Sequence, residues 1–569
     1  MDGLSLRSMW ENTVSAHSDK EYLVFCSADG TESRYTYERF DRLANQTANF
    51  FWKLGVRKGQ TVAVHLCSSV DFMLCLFGLA KIGGVMVPVN EQNLKAESAY
   101  ILGRCMPAAV VCEPRFLELY EQIRAEDPRL VKELVVARSN EGRSGAVNFA
   151  EGVLRQSERL QASVELSSFD TVEVMFTSGT TSRPKGVEFT HANFVYAGWY
   201  AQWQTALRSD DVLFTTMPAC HSNFQLAAMM PVIAAGASLV LVEKYSASRF
   251  WDQVRRFEGT IIQCVSMMVR TLLLQPERAN DRDNDVREVL YFLPLDTESK
   301  ERFEERFNVR IMNSYGSTES LNWVITDYPT GPRKWPSVGR AGLGYEARIV
   351  DENGCELPRG EVGDIEVKGV PGRTIMKGYF NDPKATAATI GAEGWMSTGD
   401  KGWCDDEGFF YFVDRVANMI KRSGENISAA EVEEVLESCE LIAEAAVVGE
   451  DDPIRDQLVK AFVVPTAGAR ITVEDVLAYC RANLAAFKVP SIVEIRSELP
   501  HTCSMKVEKK LLRAQVASAP GVSVAGALSD AQAAQPASAA WPADRSAASA
   551  AEGSPVAPDF DAGEGGNAL

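Results

Sequence analysis

The sequence is poor in histidine, with five in 569 residues, and its twelve cysteines never form a Cys-x-x-Cys pair. The closest cysteines are Cys67/Cys75 and Cys105/Cys112, so no zinc spacing or redox dithiol emerges. No uninterrupted apolar run reaches the roughly 18 residues expected of a membrane span. The opening stretch, MDGLSLRSMWENTVSAHSDKEY, carries acids early and lacks the apolar core of a signal peptide. An excess of basic charge is also missing: the formal net charge is -19, which argues against nucleic acid as the main partner. That balance still permits an anionic ligand in a locally basic pocket. Scattered cysteines in a long chain read as buried thiols in a reducing cytosol, so the expectation is a cytoplasmic protein without membrane or nucleic-acid partners. A homo-oligomer is compatible with the sequence.

What is present reads as a multi-domain α/β protein, too long for one core. Tyr37 to Lys53 has apolar residues at three- and four-residue spacing and predicts an amphipathic helix. Thr61 to Leu66 predicts a strand, Asp71 to Ile82 a buried helix stopped by Gly83-Gly84, and Val85 to Val89 the next strand. Strand–helix–strand units of this length imply parallel sheets with helices on their faces. From Gly342 to Tyr379 short strands alternate with Gly/Pro turns, which suggests a small barrel-like subdomain. A boundary is expected at Asp414-Arg415. This gives a large N-terminal domain over 1–413 and a small α+β C-terminal domain over 414–513. The Ala/Ser/Pro/Gly-rich tail, 514–569, has too few large apolar residues to offset chain entropy and is expected to be disordered.

Chemistry concentrates first in Thr177-Ser178-Gly179-Thr180-Thr181-Ser182-Arg183-Pro184-Lys185-Gly186, between two extended runs. Such a loop offers an oxyanion hydroxyl donors, backbone N–H groups and positive charge together. It is not a Walker A loop, because Lys185 precedes its glycine and no helix-opening Ser/Thr follows. A solvated Ser/Thr-rich turn would look similar. Asn313-Ser314-Tyr315-Gly316-Ser317-Thr318-Glu319 is expected after a strand ending at Met312. There a glycine beside an aromatic admits a flat ligand, and Glu319 can hold a hard cation or be a surface acid. Ser397-Thr398-Gly399-Asp400 is expected in a turn, where Asp400 can accept from vicinal hydroxyls or make an Asx-turn. Asp414-Arg415 adds a forked donor, and Lys506 sits in a basic run near the end of the predicted ordered chain.

In order and spacing, TSGTTSRPKG, NSYGSTE, STGD, DRVANMIKRSGENIS and SMKVEKKLLR resemble the acyl-adenylate-forming superfamily over about Tyr35 to Arg513. Other stretches, such as LVEKYSASRFW and RKWPSVGRAGLGYEARI, resemble its ligase branch that acts on carnitine, crotonobetaine and γ-butyrobetaine. The resemblance implies an ATP- and Mg²⁺-dependent acid–CoA ligase that forms an acyl-AMP and then a thioester, releasing AMP and pyrophosphate. It places Thr177, Ser178, Gly179, Thr180, Thr181 and Lys185 on the phosphates, and Glu319 with Thr180 on Mg²⁺. Thr318 faces the α-phosphate, Tyr315 lies along the adenine, and Asn313, Ser314 and Gly316 are cofactor-binding positions. Asp400 and Arg415 serve the ribose, and Lys506 acts as the catalytic cation. The small domain is expected to move between half-reactions and then present Lys421 and Gly424 to CoA. His221 matches the gate of the acyl pocket, and Trp199, Trp203, Phe224 and Trp323 are candidates for a quaternary-ammonium cage. Two departures stand out: Met505 where the family has glycine, and Ala417 at the pivot. A general short-chain, medium-chain or aryl acyl-CoA synthetase stays open as an alternative. So does a nucleotide-binding protein that kept only the fold.

Overall fold

The computed structural model describes residues 3–139, 145–177, 184–292, 295–415, 419–466, 469–500, 507 and 509–517. Local sequence explains its helices directly. In the helix Tyr37–Lys53 the Thr36 side chain accepts from the Arg39 amide, Glu38 sits in the first turn and Lys53 in the last, which suits both the cap and the dipole. Its apolar stripe, including Phe40, Ala44 and Phe51, is buried beside the wholly buried helix Val70–Ile82. Burying each large side chain contributes about 1.5–3 kcal/mol. The two helices approach closely at Gly78, where a Cβ would lie 2.7 Å from Thr47 Cγ2, so no larger residue fits. Gly83, at φ +70°, then ends the second helix in the left-handed region.

The described strands form four sheets. One has eight strands, in the order Gly378–Tyr379, Lys185–Thr190, Thr171–Thr177, Val85–Pro88, Thr61–His65, Ala109–Cys112, Glu133–Val136 and Val147–Asn148. It is parallel from Thr171–Thr177 onward, with an antiparallel pair closing the other edge. A nine-stranded sheet runs from Arg340–Ala341 through Asn322–Thr326, Ile311–Ser317, Glu288–Phe292, Ile261–Val265, Val212–Thr215, Ser238–Val242 and Glu21–Cys26 to Glu32–Thr36. The barrel-like piece is an antiparallel sheet of Glu346–Val350, Gly363–Lys368, Trp395–Cys404 and Phe410–Arg415.

The C-terminal α+β body has a five-stranded sheet with an apolar layer on each face. Ile420, Ile427, Val432, Leu436, Val447 and Val476 fill one layer. Ala446, Val448, Phe462, Leu499 and Leu512 fill the other, beneath the helix Lys509–Ala517. That helix carries the last described residues; the rest of the expected tail lies outside them, as does the pivot residue Ala417.

Two motifs sit differently from expectation. Asn313 to Ser317 belong to the strand Ile311–Ser317 rather than to a loop after it, because they pair with Asn322–Thr326. Ser397 to Asp400 lie within the strand Trp395–Cys404, not in a turn, because neighbouring strands pair with it on both sides. Strand geometry therefore fixes where Tyr315 and Asp400 point.

Candidate active site

A cavity of about 960 Å³ opens where the two large sheets, the barrel-like sheet and the C-terminal body meet. It collects residues from four of the motifs: Thr177, Lys185, Tyr315 to Glu319, Asp400, Lys421 and Gly424. Asn313 and Ser314 also line it, but their side chains are engaged in the scaffold. Asn313 Nδ2 donates to Ser337 O at 2.8 Å, and Ser314 Oγ meets Thr326 Oγ1 at 3.0 Å while accepting from Gln204 Nε2 at 2.9 Å.

At one end, the Tyr315 hydroxyl donates to Asp400 Oδ2 at 2.7 Å, tying the motif strand of the nine-stranded sheet to the antiparallel sheet. Phe412 lies 6.2 Å from the Tyr315 ring, and Arg415 pairs with Asp400 in the strand ladder. Gly316, next to the ring, leaves the backbone approachable by a flat group. Beside it, the Tyr379 hydroxyl donates to Glu319 Oε1 at 3.0 Å, and Lys185 Nζ stands 5.0 Å from the centre of the same ring. Tyr379 thus joins the carboxylate suited to Mg²⁺ and the cation suited to a phosphate. The sequence reading missed it, since Gly378–Tyr379 is a two-residue strand outside any motif. Thr177 ends the strand leading into the phosphate loop, and its buried hydroxyl has no partner among the described residues. Ser178, Gly179, Thr180 and Thr181 lie outside the described residues, as do Met505 and Lys506.

At the other end, the C-terminal body enters the cavity through the turn Ser423-Gly424-Glu425. His221 Nε2 lies 3.1 Å from Glu425 Oε1. Burial alone would lower the imidazole pKa, but Glu425, with Glu91 behind it, overrides this and raises it. The reciprocal attraction lowers that of Glu425 against its own burial cost. Gly424 has φ +94°, and a Cβ on it would stand 3.9 Å from Val265 Cγ1. Lys421 Nζ lies 4.3 Å from the Phe412 ring centre. Lys488, buried, bridges the bodies by donating to Glu97 Oε1 at 2.6 Å and Glu431 Oε1 at 2.7 Å.

The AMP-binding enzyme family model matches residues 10–380, and the AMP-binding enzyme C-terminal domain matches 431–506. This chain belongs to the AMP-binding enzyme family. It is an AMP-forming acid–CoA ligase, whose substrates include ATP and CoA and whose cofactor is Mg²⁺. The crotonobetaine/carnitine–CoA ligase of Escherichia coli O8 (strain IAI1) is 47% identical over 512 residues, covering 90% of this chain and 99% of that protein. The crotonobetaine/carnitine–CoA ligase of Salmonella choleraesuis (strain SC-B67) is 45% identical over the same shares. Among solved structures, a double mutant of o-succinylbenzoate CoA synthetase from Bacillus subtilis, bound to its product analogue OSB-NCoA, is 25% identical with a TM-score of 0.78. That likeness covers 89% of this chain and 98% of the other. ATP-bound MatB from Rhodopseudomonas palustris is 26% identical with a TM-score of 0.66, covering 90% and 99%.

Three of the four proposed cage aromatics are placed elsewhere. Trp199 is 37% exposed on the surface. Trp203 packs on Tyr200 and Tyr328, with centroids 5.5 Å away in each case. Phe224 is wholly buried in the core. Only Trp323 of the four lines the cavity, with Phe292 6.0 Å from it. Phe292 ends the strand Glu288–Phe292, and nothing in its local sequence marks it. Among the described residues no helix is long and apolar enough to cross a membrane.

Proposed function

We propose that the acid activated by this ligase is a short betaine of the carnitine, crotonobetaine or γ-butyrobetaine type. The observation that carries this is the 47% identity over nearly the whole length of a crotonobetaine/carnitine–CoA ligase. In the first half-reaction the acid carboxylate attacks the α-phosphate of ATP, giving acyl-AMP and pyrophosphate. In the second the CoA thiol displaces AMP. The first step brings two anions together, so it needs alignment and charge neutralisation rather than a protein nucleophile.

Lys185 and the phosphate loop neutralise the β- and γ-phosphates, Tyr315 lies along the adenine, and Asp400 accepts from the ribose hydroxyls with Arg415 beside it. The residues present fit Mg²⁺: Glu319 faces the cavity beside Lys185, and with Thr180 it would hold the ion, which offsets phosphate charge. Thr318 faces the α-phosphate, and Lys506 serves the attacking carboxylate. His221 gates the acyl pocket, and Lys421 and Gly424 meet CoA. The likeness to the product-analogue complex, higher than to the ATP-bound structure, supports an arrangement suited to the second half-reaction. We assign residues 1–413 and 414–513 as the two moving units. The described cysteines, all free thiols, support a reducing, cytoplasmic setting.

The test is pyrophosphate release with ATP and Mg²⁺, with and without CoA, across carnitine, crotonobetaine, γ-butyrobetaine, butyrate and benzoate. Turnover confined to the trimethylammonium acids, with CoA ester as product, is expected; preference for butyrate or benzoate would overturn the betaine assignment. A trimethylammonium group cannot donate hydrogen bonds and is best held by ring faces, here Trp323 with Phe292. A cation–π contact contributes about 0.5–2 kcal/mol. Trp323→Ala is therefore expected to raise KM for the betaine acids by about 2- to 30-fold. An unchanged KM would place the cation elsewhere.

A further inference from the structure

The turn that carries Gly424 and Glu425 into the cavity is registered from behind by a second contact between the bodies. Asp456 opens the strand Asp456–Pro465 of the C-terminal body with φ +67°, a left-handed conformation that glycine adopts without penalty and other residues rarely take. Its carboxylate accepts from Ser266 Oγ at 2.8 and 3.0 Å and from the Arg270 guanidinium at 2.9 Å. Ser266 and Arg270 stand on the helix Ser266–Leu273 of the large body. Both members of the ion pair are largely shielded, with side chains 18% and 12% exposed. Arg270 also reaches Ile454 O at 3.5 Å.

The loop behind Asp456 is tied to the turn. Arg422 and Asp456 are ladder partners, and the Ser423 amide donates to Arg455 O at 2.9 Å. Ser423 itself has φ +52°. On the facing side, Val265, against which Gly424 sits, immediately precedes Ser266. The contact Val265–Gly424 and the bonds from Ser266 and Arg270 to Asp456 are therefore one registration, with His221–Glu425 on the far side of the turn.

We propose that Asp456, held by Ser266 and Arg270, is a positioning residue for the thioester-forming half-reaction: it docks the C-terminal body so that the Gly424 turn meets CoA. This rests on the reading that the chain runs two half-reactions in two domain arrangements. On that reading the adenylating arrangement parts the clasp, so that the clasp acts on one half-reaction only. The non-glycine residue at φ +67° is explained by its carboxylate.

Asp456→Gly removes the carboxylate while fitting the backbone, so folding is preserved. It is expected to slow acyl-CoA formation from supplied acyl-AMP at least tenfold, with pyrophosphate release in the first half-reaction unchanged within about twofold. Arg270→Ala should match it, and the double variant should be no worse than either single one, as for one shared interaction. Hydrogen exchange reads the clasp without turnover: Arg270→Ala, on the large body, should speed exchange of the Ser423 amide on the other body. The strand Ile442–Asp452 should stay protected. Equal loss of both half-reactions, an undisturbed thioester step, or an unchanged Ser423 amide would each overturn the proposal. Absence of acyl-AMP formation by the wild-type protein on every acid would instead sink the ligase reading, while the exchange experiment would still decide whether the clasp exists.

Discussion

Lys506→Ala is expected to lower acyl-AMP formation by about 10²–10³-fold, the usual effect of removing one donor aimed at developing negative charge. Thioester formation from supplied acyl-AMP should largely survive. Lys506 lies outside the described residues. Nearby Leu512 is buried with Ala446, Val448 and Phe462, and Lys509 Nζ donates to Glu433 Oε2 at 2.7 Å, which anchors this segment on the C-terminal body. None of the described residues from 507 onward lines the cavity. The described lysines that do are Lys185, Lys421 and Lys488, and Lys488 is already held between two carboxylates. On the proposed two-arrangement reading, Lys506 is the cation for the attacking carboxylate, brought in when the C-terminal body turns and withdrawn again for the thiol. Rates of pyrophosphate release and of CoA-ester formation from acyl-AMP separate the steps. Equal loss of both would remove Lys506 from its assigned role.

Where a property is local, the sequence discloses it. The helix over Tyr37–Lys53 begins and ends as its periodicity predicts, because amphipathicity and the Thr36 cap act within a few residues. The chemical motifs are equally legible, since each is a short run with its own donors. What joins them is not. Tyr315 to Asp400, Tyr379 to Glu319, and Asp456 to Arg270 are contacts between distant segments, set by how sheets stack, and no residue spacing encodes them. The cage aromatics show the same limit. Trp199 and Trp203 share the helix His191–Thr205, yet one reaches solvent and the other packs on Tyr200 and Tyr328. Direction on an element, not nearness in sequence, decides which rings reach the cavity. Asn313 and Ser314 were legible as motif residues, but their side-chain bonds into the scaffold appear only once Ser337 and Thr326 are in place.

Gly424→Leu is expected to slow the thioester step severely while leaving acyl-AMP formation intact. Two costs add. At φ +94° the backbone lies beyond the left-handed well open to L-residues, and such strain costs about 1–3 kcal/mol, or roughly 5- to 150-fold in the docked population. The side chain would also extend into the space beside Val265, where a Cβ alone already stands 3.9 Å away. Gly424→Ala separates the two costs, since its methyl makes only ordinary contact and its penalty is backbone strain. If strain alone matters, alanine and leucine will slow the second half-reaction equally. If the turn borders the path of the CoA arm, leucine will be slower by at least a further tenfold and will raise the KM for CoA. Adenylation should be untouched in both variants, because on the proposed two-arrangement reading the turn is withdrawn when Lys506 is delivered. A parallel fall in pyrophosphate release would mean that Gly424 supports the fold rather than the thiol's approach.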